Sequence, residues 1–302
     1  MLRWCLARQF ASLAKGAIWL TCLTASIVAA RTHAPSRTAE ATQGLRCTVS
    51  SKLNLFPQVG RSVLGYPSRL LSRTKVAEKT VAFQFQRPRN FLFRPGQFID
   101  LGLPGLPRNG SHGLKHTFSI ASSCFASDIL LATRMRDSCF KRALSVLPLG
   151  TEVSIRGPMG SFVLHSDVSR PAVFLAGGIG ITPFLSMLSS VPIEKHHPPV
   201  FLFYANRYIE DAAFMDTLCN REKVTGNFHF VPTFTRIAPG QGGWKGTTGP
   251  INAHMLSNYI SNLQDPIYYV AGPPGMVAGT QQTLVELAVP EEDIRTENFA
   301  GY

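Results

Sequence analysis

The segment Phe174-Leu-Ala-Gly-Gly-Ile-Gly-Ile-Thr-Pro183 constrains the fold more than any other stretch of the chain. An uninterrupted apolar run, Ala172–Ala176, ends in closely spaced glycines, and Pro183 follows where a helix would begin. Apolar residues without polar alternation mean a strand covered on both faces, hence a parallel sheet between layers of helices. The rhythm continues to the C-terminus. Val200–Ala205, Phe228–Thr233 and Ile267–Ala271 read as strands, and Pro183–Ser189, Ala212–Cys219, Ile251–Tyr259 and Met276–Ala288 as helices. Gly177, Gly178 and Gly180 let a backbone approach a ligand closely, and a helix N-terminus offers free N–H groups to an anion. A dinucleotide pyrophosphate is the natural occupant; a purely structural turn is the alternative for this motif alone. Tyr268-Tyr-Val-Ala-Gly-Pro-Pro-Gly-Met276 is a second strand end of the same kind. Two glycine-rich strand ends in one sheet point to a shared ligand cleft.

Ahead of Arg170-Pro171 the texture differs. Within Ser68–Gln86, Val81, Phe83 and Phe85 alternate with Ala82 and Gln84. Phe98–Leu101, Thr117–Ala121, Ile129–Met135 and Glu152–Arg156 are further short strands, separated by Gly/Pro turns as an antiparallel barrel requires. One helix interrupts them, Ser138–Val146, with Phe140, Ala143, Leu144 and Leu147 at helical spacing. The expected architecture is an antiparallel β-barrel over residues 66–168 followed by an α/β parallel-sheet domain over residues 169–302.

The net charge of +12 on 302 residues suggests a nucleic-acid or membrane partner until it is located. Residues 1–75 hold eleven Lys/Arg against one acid, Glu40, while the remainder holds nineteen against seventeen. The near-neutral body argues against nucleic acid. Most of the excess lies in a leader, residues 1–65, whose basic start and apolar run GAIWLTCLTASIVAA fit a secretory signal, a transit peptide, an anchor, or residues upstream of the true start. The body is expected in the cytoplasm, or in an organelle or exported if residues 1–45 are a targeting segment. Membrane contact is expected only if the leader anchors.

Cys5, Cys22, Cys47, Cys124, Cys139 and Cys219 show no short ligand spacing, which argues against an iron–sulfur cluster and a cysteine zinc site. His196-His197 reads as solvated loop, and no metal site is expected.

Six motifs in order then carry a resemblance: Arg94-Pro-Gly-Gln-Phe98, His116-Thr-Phe-Ser119, Gly157-Pro-Met-Gly-Ser-Phe162, Gly177-Gly-Ile-Gly-Ile-Thr-Pro183, Ala271-Gly-Pro-Pro274 and Glu297-Asn-Phe-Ala-Gly-Tyr302. Residues 68–302 resemble the ferredoxin–NADP reductase superfamily of flavin-dependent reductases. The resemblance implies a barrel that binds FAD, with FMN left open, and an α/β domain that binds NADPH or NADH. It implies hydride transfer to the flavin and electrons passed to a separate acceptor, a protein or a small molecule.

The resemblance also assigns roles. Ser119 would sit near flavin N5, with Thr117 and Phe118 in the same motif and Phe118 packing on the ring system. His116 stands where the family has an arginine for flavin phosphate, with Arg136 and Lys141 among the substitutes. Gly157 belongs to the turn closing the barrel. Thr182 and Pro183 would lie beside the nicotinamide, with Gly272, Pro273 and Met276 on the second turn. Ala271 replaces a cysteine that many relatives carry near the hydride path. Phe299 or Tyr302 would stack on the flavin, and Glu297 would assist hydrogen bonding there. Arg207 and Arg236 follow strand ends where an arginine can hold a ribose 2′-phosphate, although Asp211 is spaced to neutralise Arg207. Ala271 and the altered phosphate motifs also motivate a different class, a non-catalytic flavin- or nucleotide-binding subunit.

Overall fold

The computed structural model describes residues 65–105, 115–190, 198–237 and 243–300, which fall in one compact unit. The leader up to residue 64, His196-His197 and Tyr302 lie outside them. The first half is a six-stranded antiparallel sheet in the order β4-β3-β6-β1-β2-β5. Its strands are β1 (Tyr66–Ala77), β2 (Thr80–Gln86), β3 (Phe98–Gly102), β4 (Lys115–Ser119), β5 (Asp128–Arg134) and β6 (Glu152–Met159). The Ala121 N–H donates to Leu130 O at 2.8 Å, drawing the sheet's two edges together. Alternation decides the inside: Phe83, Phe85, Ile99, Leu101, Ile129, Leu131, Val153 and Ile155 fill one core. Helix α1 (Cys139–Val146) closes one end with Phe140 and Leu144, and the Ser138 hydroxyl caps its N-terminus by accepting from Lys141 N.

The expected single run Ser68–Gln86 is two strands. Glu78-Lys79 turns between them, with Lys79 at φ 54°.

The second half is a parallel sheet ordered β10-β9-β8-β7-β11-β12. Its strands are β7 (Ala172–Gly177), β8 (Val200–Asn206), β9 (Phe228–Phe234), β10 (Thr247–Thr248), β11 (Ile267–Gly272) and β12 (Ile294–Asn298). The helices are α2 (Thr182–Ser190), α3 (Met215–Val224), α4 (Ala253–Ser257) and α5 (Pro274–Glu286). Phe174, Leu202 and Tyr269 face one core, while Val173, Phe203 and Tyr268 face the other. Both faces are dry, which is why these strands read as continuous apolar runs. Chain order reverses between β7 and β11, so the crevice beyond their carboxyl ends is the topological switch point.

Two strands escape the sequence reading. β10 is only two residues long. β12 is Ile-Arg-Thr-Glu-Asn, a polar edge strand without an apolar face to announce it. Helix α3 starts three residues later than expected, because Phe214 before it sits at φ 61°. Helix α4 is short, beginning after Asn252, whose side chain caps it by accepting from Met255 N. Among the described residues no helix is long and apolar enough to cross a membrane.

Candidate functional site

Strand β12 builds one wall of the site. It pairs in parallel with β11, Ala271 opposite Glu297 and Gly272 opposite Asn298, and the Phe299 N–H donates to Gly272 O at 2.9 Å. Two arginines clamp it to the segment joining the sheets. Arg170 makes a bidentate pair with Asp293, at 2.7 and 2.8 Å, and Arg295 donates to Val163 O at 2.8 Å. Glu297, Asn298, Phe299 and Ala300 therefore face His116, Thr117 and Ser119 across a cleft of about 330 Å³, within the ~300–1,000 Å³ common for small-molecule sites.

The cleft chemistry is a hydroxyl against a carboxyl. Ser119 Oγ donates to Glu297 Oε2 at 3.4 Å, a long contact with slack to tighten. Burial pushes the Glu297 carboxyl up to about 7, against a smaller opposing pull from the Ser119 hydroxyl. A carboxyl raised into that range changes protonation near neutral pH.

Alternation along β4 sorts its motif. Phe118 points into the barrel core, 3% exposed, away from the cleft wall. Thr117 Oγ1 donates to Asp100 Oδ1 at 2.8 Å. His116 stacks on Phe118 with ring centroids 4.9 Å apart. Burial lowers the His116 pKa, opposed by its bond to Thr117 O; Lys141 lowers it further and Asp100 raises it. The imidazole is therefore biased to its neutral form. Lys141 is buried and donates to Arg134 O at 2.9 Å, and burial pushes its ammonium down to about 8. Arg136 is exposed in the turn ahead of α1.

The glycine turns divide their work. A Cβ on Gly180 would overlap the Ala271 carbonyl oxygen and come within 2.7 Å of Gly272 N. One on Gly272 would reach Gly177 Cα at 3.0 Å, and one on Gly177 would meet Pro273 Cδ at 3.0 Å and Met276 Sδ at 3.1 Å. These three glycines let the ends of β7 and β11 touch. Gly178, at φ 53°, has nothing within 4 Å of its Cβ position, so it is the glycine of the first turn that is open to a ligand. Thr182 is buried and its hydroxyl donates to Ile179 O at 3.0 Å; Pro183 is buried beside it. Ala271 is fully buried. Gly157, in β6, fits closely against Ile99 and the Phe98 carbonyl.

Residues 174–282 match the oxidoreductase NAD-binding domain family. The chain is 27% identical over 221 residues to the reductase component of propane 2-monooxygenase from Mycolicibacterium smegmatis, covering 71% of this chain and 61% of that one. It is 27% identical over 229 residues to ferredoxin–NADP reductase B of Sorangium cellulosum, covering 73% and 91%. A ferredoxin–NADP⁺ reductase from Neisseria gonorrhoeae, solved with bound FAD and NADP, superposes with a TM-score of 0.67 at 22% identity, over 78% of this chain and 99% of that one. The chain is similar to oxidoreductases of the ferredoxin–NADP reductase type. It spans somewhat under two thirds of the length of the monooxygenase reductase component.

The cleft and the glycine turns of this chain fit a flavin and a dinucleotide unequally. The Ser119–Glu297 cleft, edged by Phe299, suits a planar ring with a polar rim. The phosphate-holding groups are weaker, since His116 is biased neutral and the Lys141 ammonium is bonded to backbone. Open space at Gly178 and at Gly275, in the first turn of α5, suits a dinucleotide backbone across the switch point. Arg207 and Arg236 are exposed on adjoining strand ends, joined by Arg236 N donating to Arg207 O at 3.0 Å. Asp211 does not neutralise Arg207; it is buried and paired with Arg134 from β5.

Two pairings were invisible in the sequence. Arg170 and Asp293, 123 positions apart, set β12 in place. Arg134 and Asp211, 77 apart, join the two halves. Only proximity in the fold gives such residues a role. Asn206, 6% exposed at the end of β8, has neither amide atom in a well-formed hydrogen bond among the described residues.

Proposed function

We propose that this chain is a flavin-dependent NAD(P)H reductase that passes electrons to a separate acceptor, an oxygenase component or a ferredoxin-like protein. The observation that carries the reading is the cleft in which Ser119 meets Glu297 and Phe299 beside the glycine-lined ends of β7 and β11. A flavin in that cleft supplies hydride acceptance from the nicotinamide and release of electrons singly or in pairs. Residues 66–168 hold the flavin and residues 169–302 the nucleotide. Gly178 and the first turn of α5 admit the pyrophosphate. Ser119 orients a hydrogen bond at the flavin edge, and Glu297 stores and returns a proton. Phe299, which lines the cleft, would stack on a flavin ring held there. Arg207 and Arg236 favour NADPH over NADH, because two guanidinium groups suit a 2′-phosphate.

The test is anaerobic titration of the FAD-loaded chain with NADH and NADPH. Loss of the yellow flavin absorbance with either donor is the expected result. A chain that binds no added FAD would sink the reading. A flavin that binds and stays oxidised would select a non-catalytic flavin- or nucleotide-binding subunit, a role favoured by the weak phosphate-holding groups at His116 and Lys141.

A further inference from the structure

Away from the cleft, three chain segments converge on one node between the two sheets. They are the β1–β2 hairpin tip, the end of β5, and the 3-10 turn Ile209–Asp211 that follows β8. The Glu78 N–H donates to Glu210 O at 2.7 Å, a backbone bond from the barrel side to the parallel-sheet side. Beside it the Arg134 guanidinium pairs with Asp211, whose side chain is 7% exposed against 27% for Arg134. The Met135 N–H donates to Lys79 O at 2.6 Å, tying the hairpin tip to the end of β5.

An apolar seam runs from the node toward the cleft. Ala82 and Ala132, on the barrel's outer face, pack with Ile179, and Phe214 and Phe299 lie against the same cluster. Ile179 belongs to the glycine turn that opens α2, and Phe299 lines the cleft. Phe214 reaches this seam from a left-handed backbone, φ 61°, a conformation that costs a bulky residue and needs surrounding contacts to hold it. On the flavin side, Lys141 of α1 donates to the carbonyl of Arg134 itself.

We propose that Arg134 and Asp211 form an interdomain latch, a positioning pair that sets the dinucleotide turn against the barrel and so fixes how nicotinamide meets the flavin. The inference rests on the reductase reading and adds to it a pair in which the Arg134 guanidinium is engaged by Asp211. The physical case is geometric. A largely desolvated, charge-assisted pair tolerates little displacement, and hydride transfer is sensitive to placement on the ångström scale. The neighbouring Glu78–Glu210 bond is the part of the latch that can be watched without any cofactor.

The experiment uses the full chain as wild type, Arg134→Gln, Asp211→Asn and the charge swap Arg134→Asp with Asp211→Arg. Hydrogen exchange of the Glu78 amide is measured without ligand, and anaerobic flavin reduction is measured at saturating NADPH. The latch requires faster Glu78 exchange in both single variants. It also requires hydride transfer slowed about tenfold or more, within the ~10² that a 1 Å misplacement can cost, with FAD affinity within twofold of wild type. The swap should restore both readouts in part. Single variants with unchanged Glu78 exchange, or with faster exchange and unchanged reduction at saturation, overturn the proposal. Slow reduction that merely follows FAD loss or global unfolding, unrelieved in the swap, also overturns it. A wild-type chain that neither pyridine nucleotide reduces refutes the reductase reading instead, and the exchange arm then still decides whether the pair latches the two halves.

Discussion

Ser119 and Glu297 lie 178 positions apart and meet through a hydroxyl–carboxyl contact of 3.4 Å. One comes from the barrel strand β4 and the other from the last strand of the parallel sheet. Their meeting depends on β12 being an ordered edge strand, and on Arg170 and Arg295 holding it against the linking segment.

This contact makes turnover depend on pH. With the carboxyl raised to about 7, its protonated form dominates below that value and is lost above it. Steady-state NADPH oxidation should fall as pH rises through about 7, and Glu297→Gln should abolish that limb and slow turnover by roughly 10²-fold. Ser119→Ala should move the limb to higher pH, because the hydroxyl is the group that lowers the Glu297 pKa. A pH–rate profile of all three proteins checks this.

The same carboxyl affects stability with the opposite sign to an ordinary salt-bridged acid. Its folded pKa is raised from 4.5 to about 7, so the folded state binds the extra proton between those values. Wild-type stability relative to Glu297→Gln should decline as pH rises from about 4.5 to about 7 and stay level above. The total change should not exceed roughly 3 kcal/mol. Urea unfolding of both proteins across that window measures it.

Gly180→Ala and Gly178→Ala should fail in different ways. The first forces a methyl into the Ala271 carbonyl and should destabilise by about 1–3 kcal/mol with loss of nucleotide binding. The second meets open space at φ 53°, so its strain should cost only about 1–2 kcal/mol, while the methyl stands where a dinucleotide would approach. Thermal unfolding paired with NADPH affinity separates the two: both should lose affinity, and Gly178→Ala should lose less stability.

Arg207→Gln and Arg236→Gln should each raise KM for NADPH by about tenfold, in line with a lost charge-assisted hydrogen bond worth ~1.5–3 kcal/mol. KM for NADH should change less than twofold. Equal effects on both donors would show that neither guanidinium reads a 2′-phosphate.

Much of the architecture was legible because burial writes periodicity. Strands β7, β8, β9 and β11 are dry on both faces and appear as apolar runs, and barrel strands such as β2 appear as alternation. The glycines of both turns stood out because only residues without a Cβ let β7 and β11 touch. Strand β12 left no such mark: an edge strand of Ile, Arg, Thr, Glu and Asn satisfies its backbone against β11 and has little to bury. Phe118 illustrates the opposite case, a motif position assigned to a ring system that strand alternation turns into the core.

Residue types and their spacing were enough to fix a barrel followed by a doubly covered parallel sheet and two glycine turns at neighbouring strand ends, and the family resemblance carried by the sequence motifs added the candidacy of Ser119, Glu297 and Phe299. Folding alone decided which glycine faces open space, that Asp211 answers Arg134 rather than Arg207, and that Glu297 is desolvated enough to raise its carboxyl pKa. Periodicity is a local property that each segment carries with it. Desolvation and ion pairing arise between segments far apart in the chain, and they exist only once the backbone brings those segments together.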